Sequence, residues 1–263
     1  MSENLTPSLI KDIRPGAESS NPENLIGFNS ELYFTTNFGL WKSNGTTEGT
    51  LKIDEEALFG GGSSFAITDL ITFGDRVIAI GISAGGNVVN GSIFATDFTP
   101  EETSEIFFFG SDSRLTRSEV DNFTTANNDL FFVSNFIDNS SLRIPSITSS
   151  LIKTDGTEAG TSSVKTFDLR GSGSINELTN VNGTLFFTVP GTLTIFDGFG
   201  EISTNNELWK SDGTEAGTLI VKDIRPGNDS SNPNDLTDSN GTLFFTANDG
   251  INGRELWKSD GTD

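Results

Sequence analysis

The sequence contains no cysteine and no histidine. Without cysteine there is no disulfide, no zinc–thiolate site and no thiol nucleophile. Without histidine the commonest general base, the Ser-His-Asp triad and nearly all transition-metal sites are excluded as well. Basic residues are scarce: 16 Lys and Arg stand against 37 Asp and Glu, a formal net charge of −21. That surface repels a nucleic-acid backbone and an anionic membrane, so neither is an expected partner. No stretch approaches the roughly 18 apolar residues of a membrane-spanning helix. The opening residues carry no basic and apolar leader pattern, so a cleaved signal peptide is not expected. Cytoplasmic residence, export without a cleaved leader, and origin in a longer precursor all stay open.

What is present leans towards strands. The 22 Phe far outnumber the 3 Trp and 1 Tyr, and 29 Gly punctuate a Thr-rich chain. This composition favours strands and turns, and no long run has a helical period.

Self-similarity is the dominant signal. Glu207-Leu208-Trp209-Lys210-Ser211-Asp212-Gly213-Thr214 recurs letter for letter from Glu255 to Thr262. Trp41 to Thr46 is a third copy, and Ile152 to Thr157 is a fourth with Ile in place of Trp. Phe94-Ala95-Thr96-Asp97 is a degenerate fifth. A Thr follows six residues after the Asp or Asn, at Thr50, Thr103, Thr161 and Thr218. Anchored at 44, 97, 155, 212 and 260, the copies are spaced by 53, 58, 57 and 48 residues. A period near 50 with short β-type segments matches propeller blades.

Each repeat reads as four strands, a to d. In the last two, strand a lies around Leu236-Thr237-Asp238, before the hairpin pair Asn240-Gly241. Strand b is Thr242 to Thr246, strand c is Glu255 to Ser259, and strand d is Thr218 to Lys222 of the preceding repeat. Strand b is apolar on both faces, as in Leu243-Phe244-Phe245, Leu185-Phe186-Phe187 and Leu130-Phe131-Phe132. A sheet wetted on one side would alternate instead.

The last repeat shows strands a to c, and the opening residues match a strand d. Leu9 to Gly16 aligns with Ile220 to Gly227, and Ser19 to Pro22 aligns with Ser230 to Pro233. On that alignment Asn4 and Asp263 both take the position of Glu215. The expectation is an all-β, five-bladed β-propeller over 1–263, with four antiparallel strands per blade. The repeats run over about 14–54, 55–109, 110–168, 169–224, and 225–263 with 8–13, the N-terminal strand d closing the ring.

The Glu-Leu-Trp-x-x-Asp-Gly-Thr core followed by Glu-Ala-Gly-Thr resembles the ELWxxDGT repeat family, also labelled hyalin-like, of bacterial surface and secreted proteins. The match is sharp in the first, fourth and fifth repeats, partial in the third and faint in the second. The resemblance implies a non-catalytic, extracellular or cell-surface repeat protein; the motif itself says almost nothing about activity.

In such a meander the a–b and c–d turns share one face, and the longer b–c and d–a connections share the other. The b–c loops read as 82–91, 136–149, 190–206 and 248–254, and the d–a loops include 14–22 and 225–233. Divergent loops gathered on one face mark the expected binding side. Its candidate ligand-binding residues are Arg14, Arg225, Asp249, Asn252, Arg254, Asp138 and Arg143. Arg14 and Arg225 suit an acidic ligand, or else pair with local carboxylates. The 248–255 segment offers oxygen ligands loosely like a calcium loop, but misses the full pattern and contains Arg254. No cofactor is expected, with calcium the one metal the sequence leaves open. Trp41, Trp209 and Trp257 sit mid-strand, so packing between blades is favoured over sugar stacking. The repeated Asp-Gly pairs read as c–d turns before cation sites.

The expected function is a non-catalytic, monomeric binding or interaction module, cell-surface or secreted, with its ligand on the loop-rich face; its sharper version is glycan binding, with many similar weak sites acting together. One alternative is a structural or adhesive spacer with a cell-surface protein as partner. Another is a glycosidase using carboxylates on the strand-a segments: Asp69, Asp121, Glu177 and Asp235 or Asp238.

Overall fold

The computed structural model describes residues 6–60, 65–85, 88–110, 116–139, 146–169, 173–191, 193–196, 199–202, 206–227 and 229–261. Strands dominate it. The first sheet holds β1 (Glu23–Phe28), β2 (Glu31–Thr36), β3 (Gly39–Ser43) and β4 (Leu51–Lys52), followed by a short helix, α1 (Glu55–Phe59). The second holds β5 (Phe65–Phe73), β6 (Arg76–Gly85), β7 (Val88–Thr96) and β8 (Ser104–Gly110), and the third β9 (Thr116–Ala126), β10 (Asp129–Asp138), β11 (Ser146–Thr154) and β12 (Ser162–Asp168). The fourth begins with β13 (Asn176–Val181) and β14 (Thr184–Val189). A separate hairpin, β15 (Leu193–Phe196) and β16 (Phe199–Ile202), interrupts it before β17 (Glu207–Ser211) and β18 (Leu219–Lys222) complete it. The fifth has three strands: β19 (Asn234–Ser239), β20 (Thr242–Asn248) and β21 (Arg254–Ser259).

Within each sheet the strands lie in sequence order, as a meander requires. The expected strands a to d appear in sheets one to four, and strands a to c in sheet five. Asn4, Asp263 and Arg143 lie outside the described residues. Three expectations are corrected. The 82–91 segment is mostly strand, because β6 runs to Gly85 and β7 starts at Val88. The 136–149 loop is shortened from both sides by β10 and β11. The 190–206 loop contains the β15–β16 hairpin.

The chain divides into two compact units, Met1–Gly85 with Gly91–Phe107, and Gly86–Asn90 with Phe108–Asp263. In the first, β1 lies beside β5, and Asn24 donates from Nδ2 to the Thr68 carbonyl at 2.7 Å. In the second, β13 lies between β9 and β19. Thr124 donates to the Leu178 carbonyl at 2.9 Å, Thr179 to that of Leu236 at 3.2 Å, and the Leu236 amide to Glu177 at 3.1 Å. β1, β9 and β13 therefore use side chains to satisfy backbone groups of the sheet that follows each.

A β-bulge interrupts each first strand. The register shifts at Glu23/Ile26, Ile67/Asp69, Asn176/Thr179 and Asn234/Thr237, and likewise opposite β9 between Phe131 and Val133. Asn24, Asn122, Glu177 and Asp235 adopt left-handed φ values of 52°, 55°, 61° and 60° there. Asn and Asp tolerate that region; Glu177 is unusual in it and is held by its bond to Leu236.

The core bears out the two-faced reading of strand b in β10 and β14, whereas β20 alternates, with Leu243 and Phe245 buried and Phe244 half-buried. Leu185, Phe186 and Phe187 are buried, as are Leu130, Phe131 and Phe132. Phe186 reaches the Gly261 turn of the following sheet, and Phe131 reaches Gly213. Trp209 packs with Phe167 and Phe187, and Trp257 joins the cluster of Leu208, Val221 and Leu243. Trp209 and Trp257 are half-buried residues packed against core clusters.

The repeated motif is a hydrogen-bonded turn. Thr214 donates both its amide and its hydroxyl to Asp212 Oδ1, at 2.9 and 2.7 Å. The Gly217 amide donates to the Thr214 hydroxyl at 3.0 Å, and the Thr218 hydroxyl to the Thr214 carbonyl at 2.6 Å. With the Thr218 proton spent there, Ser211 is the donor in the 2.8 Å Ser211–Thr218 pair. The Asp212 side chain lies where a Gly217 Cβ would stand, which explains the second glycine of the motif. The turns at Asn44 and Asp155 repeat these contacts.

Thr214→Val removes one donor to Asp212 and the acceptor of the Gly217 amide while keeping the side-chain shape. Urea unfolding followed by fluorescence is expected to show a loss of about 1 kcal/mol, against a smaller loss for Thr214→Ser, which keeps the hydroxyl.

Candidate functional site

In the second unit two loops meet, residues 225–233 after β18 and residues 248–254 between β20 and β21. The Asn248 amide donates to the Ser231 carbonyl at 2.9 Å, joining their bases. Arg254 clamps them further, donating to the Thr246 hydroxyl and the Asn232 carbonyl, both at 2.8 Å. Arg225 lies beside Gly250, and its guanidinium pairs with Asp229 at 2.9 Å. Arg225, Asp249, Asn252 and Arg254 are therefore gathered on one loop pair.

The 248–254 loop shapes itself. Asp249 Oδ1 accepts the amides of Ile251 and Asn252 at 2.9 and 2.7 Å, and Oδ2 accepts Asn252 Nδ2 at 2.7 Å. Asn248 Oδ1 accepts the Gly250 amide at 2.7 Å. These donors, the Asn252 amide first and the Ile251 amide next, hold the Asp249 carboxyl below the usual carboxylate range. Among the described residues no cluster of three or more carboxylates is placed to hold a metal ion. Ile251 projects from the loop tip at 87% exposure.

The remaining candidates are separate. Arg14 belongs to the first unit, where it pairs with Glu18 and lies over the Phe38 ring, 5.1 Å from its centroid. It occupies the position that Arg225 holds in the second unit, and Glu18 that of Asp229. Both arginines pair with a carboxylate four residues on. Asp138 ends β10.

The carboxylates considered for hydrolysis are used as braces. Asp121 accepts Asn122 Nδ2 at 2.8 Å, Asp69 the Leu70 amide at 2.8 Å, and Asp238 the Gly241 amide at 3.0 Å. Glu177 holds Leu236, and Asp235 Oδ2 meets the Thr246 hydroxyl at 3.4 Å. Burial raises the Asp121 carboxyl above its ordinary range.

Glu207, the first letter of the motif, is the most buried carboxylate in the second unit's loop base. It accepts the Ile224 amide at 3.3 Å, the Ser231 amide at 3.0 Å and the Ser231 hydroxyl at 2.6 Å, and so seats the 225–233 loop on β17. Sequence reasoning missed this role; the signal was a charged residue repeated beside an apolar Leu-Trp pair. It also missed Asn127 and Asn182, whose Nδ2 atoms donate to the carbonyls of Gly183 and Gly241 in the next sheet's hairpin turn.

No family model matches the chain, and no curated protein matches it.

Burial is the leading reason that the Glu207 carboxyl lies above its usual range, with nearby Asp223 adding to it, although the bonds from Ser231 and Ile224 pull the other way. A folded-state value above the unfolded one gives stability that is present at low pH and lost as pH rises through the folded value. The stability difference between the natural protein and Glu207→Gln should therefore move in favour of the natural protein as pH falls from 7 towards 5. Paired urea titrations across that range check it.

Proposed function

We propose that this protein is a non-catalytic binding module, a five-bladed β-propeller of the ELWxxDGT type displayed at a cell surface or secreted. Its ligand meets the 225–233 and 248–254 loops. The observation that supports this reading most is the preorganised loop pair: the Gly250, Ile251 and Asn252 amides are bonded within the 248–254 loop, Glu207 and Arg254 hold the 225–233 loop beside it, and Asn252 and Ile251 are exposed there. A binding surface gains affinity when its loops are ordered before the ligand arrives.

A glycan fits that chemistry best. Guanidinium, carboxylate and amide groups beside one exposed aliphatic side chain suit a ring with hydroxyls on its edge and C–H groups on its face. The motif letters are absorbed by turns and packing, so the variable loops are the part free to specialise. The bracing roles of Asp69, Asp121, Glu177, Asp235 and Asp238 favour binding over hydrolysis.

Calcium is not needed to shape the 248–254 loop, because Asp249 already holds it through three donated bonds. The test is a broad glycan array probed with and without a chelator. Binding is expected in both conditions, and Arg225→Ala should weaken it about tenfold, the loss of one charge-assisted hydrogen bond. An array blank in both conditions, alongside capture of a defined cell-surface protein, would instead support the adhesive-spacer reading.

A further inference from the structure

The first unit holds a cavity of its own, between sheets one and two, with a volume of about 620 Å³. Small-ligand sites run to roughly 300–1,000 Å³. The sequence explains the space. β2 and β3 are joined by Asn37 and Phe38 alone, so no long loop covers it. Gly39 stands where the fourth sheet has Glu207, and the side chains of Lys52 and Glu55 fold over this glycine to form a floor. Phe38 and Phe65 supply apolar wall. Phe38 is 40% exposed, and the Arg14 guanidinium, 5.1 Å from its centroid, holds the ring in place. The Phe38 amide donates to the Thr36 hydroxyl at 3.0 Å, which fixes the turn that carries it.

The charged lining is unbalanced. Asp54, Glu55 and Glu56 stand against Lys52 alone, so the cavity attracts a cation. Two of the three carboxylates are spent on the fold. Asp54 Oδ1 accepts the Ala57 amide at 3.1 Å, and Glu55 Oε1 accepts the Ile67 amide at 3.3 Å. The Glu56 carboxylate meets no donor among the described residues and is exposed. Among the described residues these carboxylates do not converge as metal ligands would. The positive charge that suits them is therefore one carried by a larger group, able to lie along an aromatic wall.

We infer that this cavity binds an amino sugar, a hexosamine whose amine is free. The C–H face of the ring lies on Phe38, the ammonium pairs with Glu56, and the hydroxyls meet Asn37 and Lys52. An ammonium answers the excess of carboxylate, and a saccharide ring answers an apolar wall set beside polar groups. Glu56 is the residue that selects the amine. The inference goes beyond the glycan reading of the 225–233 and 248–254 loops, which belong to the second unit and share none of these residues.

The test is calorimetric titration of the whole chain with a glucosamine tetramer, and with its N-acetylated counterpart as the probe whose amines are blocked. One site per chain is expected for the free amine, about tenfold tighter than for the acetylated tetramer. Glu56→Gln should weaken it about tenfold, the loss of one charge-assisted hydrogen bond. Phe38→Ala should weaken it too, with the melting midpoint of both variants unchanged. Arg225→Ala should leave this binding as it is, and so should Glu158→Gln, an equal change of charge at an exposed turn of the second unit. Equal weakening by Glu56→Gln and Glu158→Gln would reduce the binding to net charge and overturn the site. Equal affinity for the two tetramers would overturn the choice of an amine, and the inference with it. Binding of neither would also overturn it, while leaving the loop-pair reading to the glycan array and Arg225→Ala.

Discussion

A strand that is apolar on both faces cannot be wetted on either side. Phe186 and Phe187 are successive residues of β14, point to opposite faces, and are both buried. A sheet built around such a strand needs a neighbour on each side, so the sheets must stack. Stacking alone would leave the sheets free to slide, since apolar burial has no direction. Direction comes from side chains that reach across to backbone groups: Asn24 to Thr68, Thr124 to Leu178, Thr179 to Leu236, and Asn182 to Gly241. Each bond is modest, but each also satisfies a polar group that burial would otherwise strand.

Read through these contacts, every letter of the repeated run has a structural employment. Glu207 seats the following loop, Leu208 fills the next sheet's pocket and Trp209 packs between sheets. Lys210 reaches the Gly261 carbonyl in the following turn, and Ser211, Asp212 and Thr214 build the turn of their own sheet. In this copy of the run each of these side chains is engaged in a turn or in packing.

What the sequence displayed and what it hid follow from the range of the interactions. The doubled Phe, the Asn-Gly pairs and the Asp-Gly-Thr turns are local, and the strands and hairpins they announce are present. The ties between sheets join residues 44 to 59 positions apart, such as Asn24 with Thr68 and Asn182 with Gly241, and leave no local signature. The bulges escaped for a similar reason: Glu177 is a poor left-handed residue by propensity, and only its bond to Leu236 makes it acceptable. At the loop pair the charged residues were visible, but not that Arg254 is a clamp and Asp249 a loop former. Both facts depend on donors supplied by the fold.

The degenerate repeat shows that the constraint acts on contacts and not on letters. Where the other turns place glycine at left-handed φ, Phe98 takes φ 69° and stacks on Tyr33 with ring centroids 3.8 Å apart. A strained residue is tolerated because it brings an aromatic contact in place of the close approach that Gly213 and Gly261 allow to Phe131 and Phe186. The first sheet makes a second exchange. Gly39 stands where Glu207 stands in the fourth, and the carboxylate of Glu55 lies in the space its side chain would occupy, accepting the Ile67 amide at 3.3 Å. A carboxylate is thus delivered to the same place from the other end of the connection. Two independent substitutions that restore a lost contact by another route imply that the contact between sheets is what the sequence maintains.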